Sequence, residues 1–254
     1  MELESDKIHN EDAVQFISRL PDNSVDLIVT SPPYNIGIDY DSWDDNLSYS
    51  DYLLWCSRWL EECYRILKDD GRICINHYLC GVDPISKKST FPLMDFREIQ
   101  NRIGFISHKL IIWEDITRSN LTSWGSWLSA SAPYINTPYE GILISYKNQW
   151  KKLEKGEDTI SKESFMSGVS GVWKIRPETS PLTKACFPVE IPKRCIELLS
   201  FKNDIVFDPF MGSGTTAIAA IQTNRKFIGS EISENYYNIA QTRIRNELAL
   251  NDFY

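Results

Sequence analysis

Long apolar runs, histidines and paired cysteines are the features that this sequence has least of. No stretch comes near the ~18–20 apolar residues that a membrane-spanning helix needs, so we expect no membrane partner. Residues 1–12 are polar and acidic, which argues against a signal or transit peptide and favours a cytoplasmic protein. The six cysteines form no C-x-x-C pair, and only three histidines could assist them. We therefore expect no metal site, and we predict that the thiols are small buried apolar groups.

Positive charge is also in short supply, with 27 Lys and Arg against 35 Asp and Glu and a net charge of −8. This balance argues against a nucleic-acid partner, although only the binding face of such a protein must be basic. One local basic cluster surrounds Trp150 and contains Lys147, Lys151, Lys152 and Lys155. It can be a solvated face or a phosphate-binding surface. We predict that alanine at Lys151 and Lys152 weakens binding to DNA, because both side chains would face phosphates.

The length of 254 residues suits one domain, 1–254, with alternating strands and helices. A short apolar run at 25–30 predicts a strand buried on both faces. Apolar residues at three- and four-residue spacing predict a helix over 49–67. The other predicted elements are a turn at 68–71, strands at 72–76, 105–113 and 141–146, and a helix–strand–turn–helix–strand–helix series over 192–250. The last series has the order of a nucleotide-binding crossover.

A glycine-rich turn, D-P-F-M-G-S-G-T, occupies residues 208–215 between a predicted strand and a predicted helix. Gly212 and Gly214 allow a tight turn and a close approach of the backbone to a ligand, although many such turns only pack. Glu231 closes the next strand, where a carboxylate can accept both hydroxyl protons of a ribose. The dinucleotide fingerprint is incomplete because Ala217 replaces its third glycine, and no phosphate-binding lysine follows. The pattern favours a ligand with ribose and adenine but no phosphate, such as S-adenosylmethionine, whose ammonium group would suit Asp208.

The second motif, T-S-P-P-Y-N at 30–35, follows the first predicted strand, at the edge where open α/β sheets place their sites. Pro32 and Pro33 fix a rigid backbone that lacks two N–H donors. Ser31 adds an acceptor oxygen, and Tyr34 adds a flat stacking face. This arrangement can hold an amino group through its two hydrogens, with the plane of a base resting on the ring. The same residues also suit an ordinary turn after a strand.

In this order, the two motifs resemble those of the amino-methylating DNA methyltransferases of the β group. In that family an S/D/N-P-P-Y/F motif precedes an F-x-G-x-G motif, as residues 31–34 and 210–214 do here. The resemblance covers roughly residues 8–146 and 172–245, including W-G-S-W at 124–127. It implies an α/β fold: a single Rossmann-like methyltransferase domain whose mostly parallel, circularly permuted sheet is flanked by helices, plus a small irregular target-recognition region. Its implied parts are a catalytic half at 8–80, variable or recognition segments at 80–95, 115–135 and 147–171, and a cofactor half at 172–250.

The resemblance also implies S-adenosylmethionine as cofactor and assigns site residues by position. The catalytic set is Ser31, Pro32, Pro33 and Tyr34. The cofactor set combines an acid near the adenine, two residues at the methionine end, the glycine turn and the ribose acid: Asp12, Phe187, Pro188, Asp208, Pro209, Phe210, Gly212, Gly214, Thr215 and Glu231. One departure is Lys184, at a position where the family often has histidine.

The implied reaction is methylation of an exocyclic amino group in double-stranded DNA after the target base has been flipped out. The Ser31 hydroxyl and the Pro32 carbonyl would accept hydrogen bonds from the amino group, and Tyr34 would stack on the base. Without a Pro-Cys dipeptide, the sequence lacks the usual nucleophile for methylating ring carbon 5 of cytosine. Serine at the first motif position leans toward cytosine N4, and adenine N6 is the alternative.

Two other classes of protein stay open at this point. One is a nucleotide-binding oxidoreductase that uses residues 208–231, although it would leave the turn at 31–34 unexplained. The other is a non-catalytic DNA-binding module that kept the fold. The sequence also leaves open a cognate restriction endonuclease as a partner and the oligomeric state, monomer or homodimer.

Overall fold

The computed structural model of the chain describes residues 4–117, 125–133, 135, 137, 139–178, 182–184 and 186–251. Within them ten strands form: β1 (Lys7–Asn10), β2 (Val25–Thr30), β3 (Leu67–Tyr78), β4 (Gly81–Val82), β5 (Ser89–Thr90), β6 (Ile106–Asp115), β7 (Tyr139–Tyr146), β8 (Val172–Ile175), β9 (Ile205–Asp208) and β10 (Lys226–Glu231). The same residues form seven helices: α1 (Ala13–Ile17), α2 (Tyr49–Ile66), α3 (Pro92–Ile103), α4 (Lys162–Gly168), α5 (Glu190–Leu199), α6 (Thr215–Gln222) and α7 (Glu234–Asn251). None of these helices combines the length and apolarity needed to cross a bilayer.

Eight of the strands form one sheet in the order β1-β10-β9-β2-β3-β7-β6-β8, and β4 pairs with β5 in a separate hairpin. The first five strands in that order are mutually parallel, β7 is antiparallel to both of its neighbours, and β8 is parallel to β6. Side chains from α1, α2 and α3 fill the core on one face, and side chains from α5, α6 and α7 fill it on the other. The predicted Rossmann-like architecture, a mostly parallel sheet flanked by helices, is therefore confirmed.

Strand β2 lies in the middle of the sheet and buries every one of its residues. Leu27 and Val29 enter one core layer and Ile28 enters the other, as the continuous apolar run predicts. The turn predicted at 68–71 is wrong, because these residues belong to β3. The pairing with β2 jumps from Leu67 to Arg72 across this stretch, so the extra residues form an irregularity within the strand.

The two sequence motifs meet where the winding of the sheet reverses. β9 and β2 are neighbours, but α6 leads from β9 to β10 on one side and α2 leads from β2 to β3 on the other. Such a switch point leaves a crevice at the carboxyl ends of the two strands. Residues 31–35 follow β2 and residues 209–214 follow β9, so both motifs open into this crevice. By strand direction, the loops after β3, β6 and β8 open at the same edge.

The basic cluster around Trp150 lies at the opposite edge, beside the amino ends of the parallel strands. The Lys147 ammonium is buried and donates to the backbone oxygen of Leu67 over 2.8 Å. The Lys152 side chain is only 10% exposed, and its Nζ lies 3.6–3.8 Å from three carboxylates, those of Asp26, Asp70 and Asp204. The prediction that Lys152 contacts phosphates is wrong, because the converging carboxylates hold its charge inside the protein.

Candidate active site

Two buried aromatic residues, Tyr52 and His77, pack against the inner side of the turn that follows β2. The Tyr52 hydroxyl donates to the backbone oxygen of Pro33 over 2.8 Å and lies 3.0 Å from His77 Nε2. Burial lowers the pKa of His77 to about 3, so the imidazole stays neutral over the working pH range. The proline turn is therefore fixed from its inner side, with the half-buried Ser31 left at its outer side.

Four polar side chains at this turn form one hydrogen-bonded network. The Ser31 hydroxyl donates to Tyr34 Oη over 3.0 Å, and the Tyr34 hydroxyl donates to Glu140 Oε2 over 2.8 Å. The Asn76 amide nitrogen donates to both acceptors, at 3.0 Å to Tyr34 Oη and 2.7 Å to Glu140 Oε2. Burial, reinforced by Glu140, holds the pKa of Tyr34 well above its usual value, so the phenol keeps its proton. The Tyr34 ring packs against His77 and Tyr78, with both ring centroids at 4.5 Å.

The glycine turn is built around the side chain of Asp208. This buried carboxylate accepts from the Thr30 hydroxyl over 2.7 Å, the Thr216 hydroxyl over 2.6 Å and the Phe210 backbone N–H over 3.0 Å. Burial raises its pKa to about 6, against the opposing effect of these donors. Asp208 thus ties the glycine turn to the end of β2, which fixes the distance between the two motifs.

Glu231, at the end of β10, faces the same turn. Its carboxylate accepts from the Gly212 backbone N–H over 2.8 Å and from the Ser233 N–H over 2.9 Å. Gly212 has φ +55°, which favours glycine, and a Cβ there would have only the Phe210 carbonyl at 4.0 Å. Burial raises the pKa of Glu231. The two carboxylate oxygens together have about four acceptor sites, so acceptor capacity remains beyond the backbone donors.

Both motifs line a single cavity of about 890 Å³, open mouth included. All four residues predicted as catalytic line it, and so do seven of those predicted to bind the cofactor: Asp12, Phe187, Pro209, Phe210, Gly212, Thr215 and Glu231. The structure therefore brings residues from opposite ends of the chain into one pocket.

Three residues of the predicted cofactor set do not line the cavity. The Asp208 side chain is occupied beneath the turn, which leaves it no access to an ammonium group. Gly214 has φ +85° and starts α6, with its Cα facing Ala240 of α7. Pro188 is buried, and its carbonyl accepts from the Ile191 N–H at the start of α5. These positions shape the walls and do not reach a ligand through side chains.

The cavity also contains residues that the motifs did not predict, and four of them, at 40–43, come from the loop at 36–47. Asp45 anchors this loop by accepting from the backbone N–H groups of Asn35, Ile36 and Ile38. Lys184, the position at which the sequence departs from the family pattern, lines the cavity and donates to the Asp39 carboxylate over 2.9 Å. The other lining residues outside the predicted set include Tyr40, Trp43, Trp55, Cys186 and Tyr236. Spacing alone could not single out Tyr40 and Trp43, because nothing in a polar loop indicates which of its side chains turn inward.

Comparison with known proteins places this geometry in a family. Residues 25–242 match the DNA methylase family of N6 and N4 enzymes. The type II methyltransferase M.MjaVI of Methanocaldococcus jannaschii is 44% identical over 164 residues, covering 63% of this chain and 81% of that protein. The DNA adenine methyltransferase YhdJ of Escherichia coli K12 is 28% identical over 264 residues, covering 95% of this chain and 83% of its own.

Two solved structures share the fold over almost the whole chain. A Thermus thermophilus protein, a putative DNA modification methylase determined in complex with S-adenosyl-L-methionine, superposes with a TM-score of 0.75 at 29% identity, covering 95% of this chain and 93% of its own. The cytosine-N4-specific PvuII DNA methyltransferase gives a TM-score of 0.72 at 18% identity, covering 95% and 90% of the two chains. At 18% identity, the second comparison supports the fold alone.

Proposed function

The chain belongs to the DNA methylase family, and we propose that it methylates the exocyclic N4 amino group of cytosine in double-stranded DNA. It is a DNA methyltransferase that depends on S-adenosylmethionine. The observation that carries the proposal is that the Ser31–Tyr34 turn and the Gly212 turn line one cavity. An amino group held by the first turn and a methyl donor held by the second would then be neighbours.

The residues around the glycine turn fit the cofactor. Glu231 keeps acceptor capacity for ribose hydroxyls, and Gly212 presents no side chain where a ligand would approach. Phe187 and Phe210 supply apolar wall, and Asp12 supplies a second carboxylate beside the ribose acid. When bound, S-adenosylmethionine supplies an electrophilic methyl group on its sulfonium. These residues would hold it, and a direct transfer to the amino group would form no covalent bond to the protein.

The residues around the proline turn fit an amino group. Because the Ser31 hydroxyl points its hydrogen at Tyr34, its lone pairs are free to accept a hydrogen bond from the cavity. Pro32 has no N–H to repel the amino hydrogens, and its carbonyl is a second acceptor. A cytosine amino group is stacked inside a duplex, so the base must flip out to reach these atoms. The Tyr34 ring lines the cavity as a surface on which that base can rest.

Two of the three segments predicted for target recognition begin at the edge of the sheet where the cavity opens. Residues 80–95 follow β3, and residues 115–135 follow β6, where 118–124 and 134 lie outside the described residues. The third, 147–171, begins at the opposite edge, where the N–H of Asn148 donates to the Asp69 carbonyl. We assign DNA reading to the first two, whose exposed apolar side chains include Ile85, Trp127 and Leu128.

The test is incubation with methyl-labelled S-adenosylmethionine and unmethylated duplex DNA, followed by digestion to nucleosides. We expect labelled N4-methylcytosine, and Ser31→Ala as the matched variant should bind cofactor but yield little label. N6-methyladenine would overturn the choice of cytosine. Adenine is the main alternative because of the similarity to YhdJ. No label in DNA from the unmodified enzyme would overturn the function itself.

A further inference from the structure

Methylation of an amino group releases a proton that must leave the site. The amino lone pair forms the new N–C bond, and the C–S bond of the donor breaks with its electron pair staying on sulfur. The nitrogen then carries one hydrogen too many, so a proton acceptor must lie within reach. This inference rests on the proposed function and concerns where that proton goes.

We propose that Glu140 is the final acceptor of this proton, which reaches it through the hydroxyls of Ser31 and Tyr34. The amino N–H would donate to Ser31 Oγ, whose own hydrogen passes to Tyr34 Oη, while the phenolic hydrogen passes to Glu140 Oε2. The products are the methylated amino group, the neutral thioether and a protonated Glu140. That carboxyl then releases its proton to solvent, so atoms and charge balance.

The direction of the hydrogen bonds carries the argument. Ser31 donates to Tyr34 over 3.0 Å and Tyr34 donates to Glu140 over 2.8 Å, so both hydrogens already point away from the cavity. A chain with this polarity can move one proton outward without any group rotating first. The phenol keeps its proton because it is buried beside Glu140, and can therefore pass a proton on only while receiving one.

Asn76 keeps the chain in this arrangement. Its amide nitrogen donates to both Tyr34 Oη and Glu140 Oε2, which leaves the phenolic hydrogen one direction to point. The strand register explains the placement: Tyr78 of β3 pairs with Glu140 of β7, and Asn76 lies two residues before Tyr78 on the same face. Asn76 is thus a positioning residue for the relay.

The ionisable groups that the described residues place around Glu140 come from a few elements. β3 contributes Tyr78 and the neutral His77, and the turn after β2 contributes Tyr34. On the other side, β6 places the non-ionisable Trp113 opposite Glu140. If the relay carries the proton, protonation of Glu140 would block it and would produce an acidic limb in the rate profile.

The experiment measures single-turnover methyl transfer between pH 5 and 9 for the full-length enzyme and its variants, with cofactor affinity measured alongside. Glu140→Gln keeps an acceptor for Tyr34 and Asn76 but cannot take the proton. We expect about a 100-fold slower step, the lower end for loss of a general base. Cofactor affinity should stay within twofold, and the acidic limb of the parent's profile should disappear. Glu140→Asp should recover part of the rate together with the limb.

Tyr34→Phe keeps the ring and breaks the relay, so it should cost the same factor. Combined with Glu140→Gln, it should add little, because either change interrupts one path. Glu114→Gln, which removes a carboxylate on the neighbouring β6, is the matched control and should leave the profile unchanged. The proposal is overturned if Glu140→Gln keeps the acidic limb, if the parent has none, if Glu140→Asp is no faster than Glu140→Gln, or if the two losses multiply. An inactive parent enzyme would instead count against the proposed function.

Discussion

Lys152 offers the sharpest test of how this fold uses its charges. Its Nζ lies 3.6–3.8 Å from Asp26, Asp70 and Asp204, and the one other cation that the described part of the chain places within ion-pair distance of them is Lys68, 2.7 Å from Asp26. Lys152→Met keeps the apolar stem and removes the charge. It leaves three largely buried carboxylates with one ion-paired lysine, while Arg72 and Arg225 act on Asp204 from farther away.

The expected cost is about 3 kcal/mol of unfolding free energy, the lower end for removing one partner of a buried ion pair, because Lys68 remains. For a chain of this size that corresponds to roughly 6–12 °C in Tm. The loss should depend on pH. Burial and Asp26 already raise the pKa of Asp204, and losing the ammonium should raise the pKa of that carboxyl further. The deficit should therefore be largest at pH 8 and shrink toward pH 4, as the carboxylates gain protons.

The assay is chemical unfolding of Lys152→Met and the exposed neighbour Lys151→Met at several pH values, with DNA affinity measured over a range of salt concentrations. Lys151→Met should leave stability unchanged. Lys152→Met should leave the salt slope of DNA binding unchanged, whereas a lost phosphate contact would reduce it by about one. Parent-like stability combined with a reduced salt slope would refute the structural role of Lys152.

Two further predictions concern the site itself. Ser31→Ala should slow methyl transfer with cofactor affinity nearly intact, while Gly212→Val should weaken cofactor binding at least tenfold, because valine is strained at φ +55° and projects into the cavity. Calorimetric titration and single-turnover rates separate the two, and equal loss of cofactor affinity in both would show that the roles are misassigned. Burial raises the pKa of Asp208 to about 6, above its value of about 3.9 in the unfolded chain. Protonation of this carboxyl therefore stabilises the folded state at low pH, and the stabilisation is lost as the pH rises from about 3.9 to about 6. The free energy of unfolding of Asp208→Asn, relative to that of the parent, should increase between these two pH values and stay level above them. A difference that does not depend on pH would contradict this account.

The sequence predicts the elements around both motifs because their signals are local. The helix expected at 49–67 is observed at Tyr49–Ile66, and the strand at 25–30 is observed with the same bounds. Helix α3 was not predicted, although Pro92 at its start is a known signal, and the variable segment predicted at 80–95 overlaps only its first turn. The predicted turn at 68–71 failed for another reason. Polar residues and a glycine predict a turn, but these residues belong to the long strand β3. The Asp70 carboxylate of this strand accepts a hydrogen bond from the backbone N–H of Leu153.

The site was predictable only where its residues belong to the two motifs. Asn76 and Glu140 were not singled out, since their meeting depends on the antiparallel pairing of β3 with β7, which are far apart along the chain. Asp208 lies at the end of β9, as predicted, but its carboxylate contacts two threonine hydroxyls where we had expected the ammonium group of a ligand. A carboxylate at the end of a strand suits a ligand ammonium as well as it suits two threonine hydroxyls. Only packing against Thr30 and Thr216 decides between them.

Strand direction, more than clustering in sequence, decides which basic residues can reach DNA. Lys147 and Lys152 follow β7, which runs against the parallel strands, so they lie at the edge far from the cavity. There Lys147 donates to a backbone carbonyl, and Lys152 lies among three carboxylates. Lys87 and Lys88 follow β3, which runs with the parallel strands, and are exposed at the edge where the cavity opens. Basic groups contributed by separate loops around one edge form no cluster in the sequence, and the acids that dominate the net charge of −8 include several buried within the fold. An acidic chain and a DNA substrate are therefore compatible, because the field near the cavity depends on the few charges at that edge.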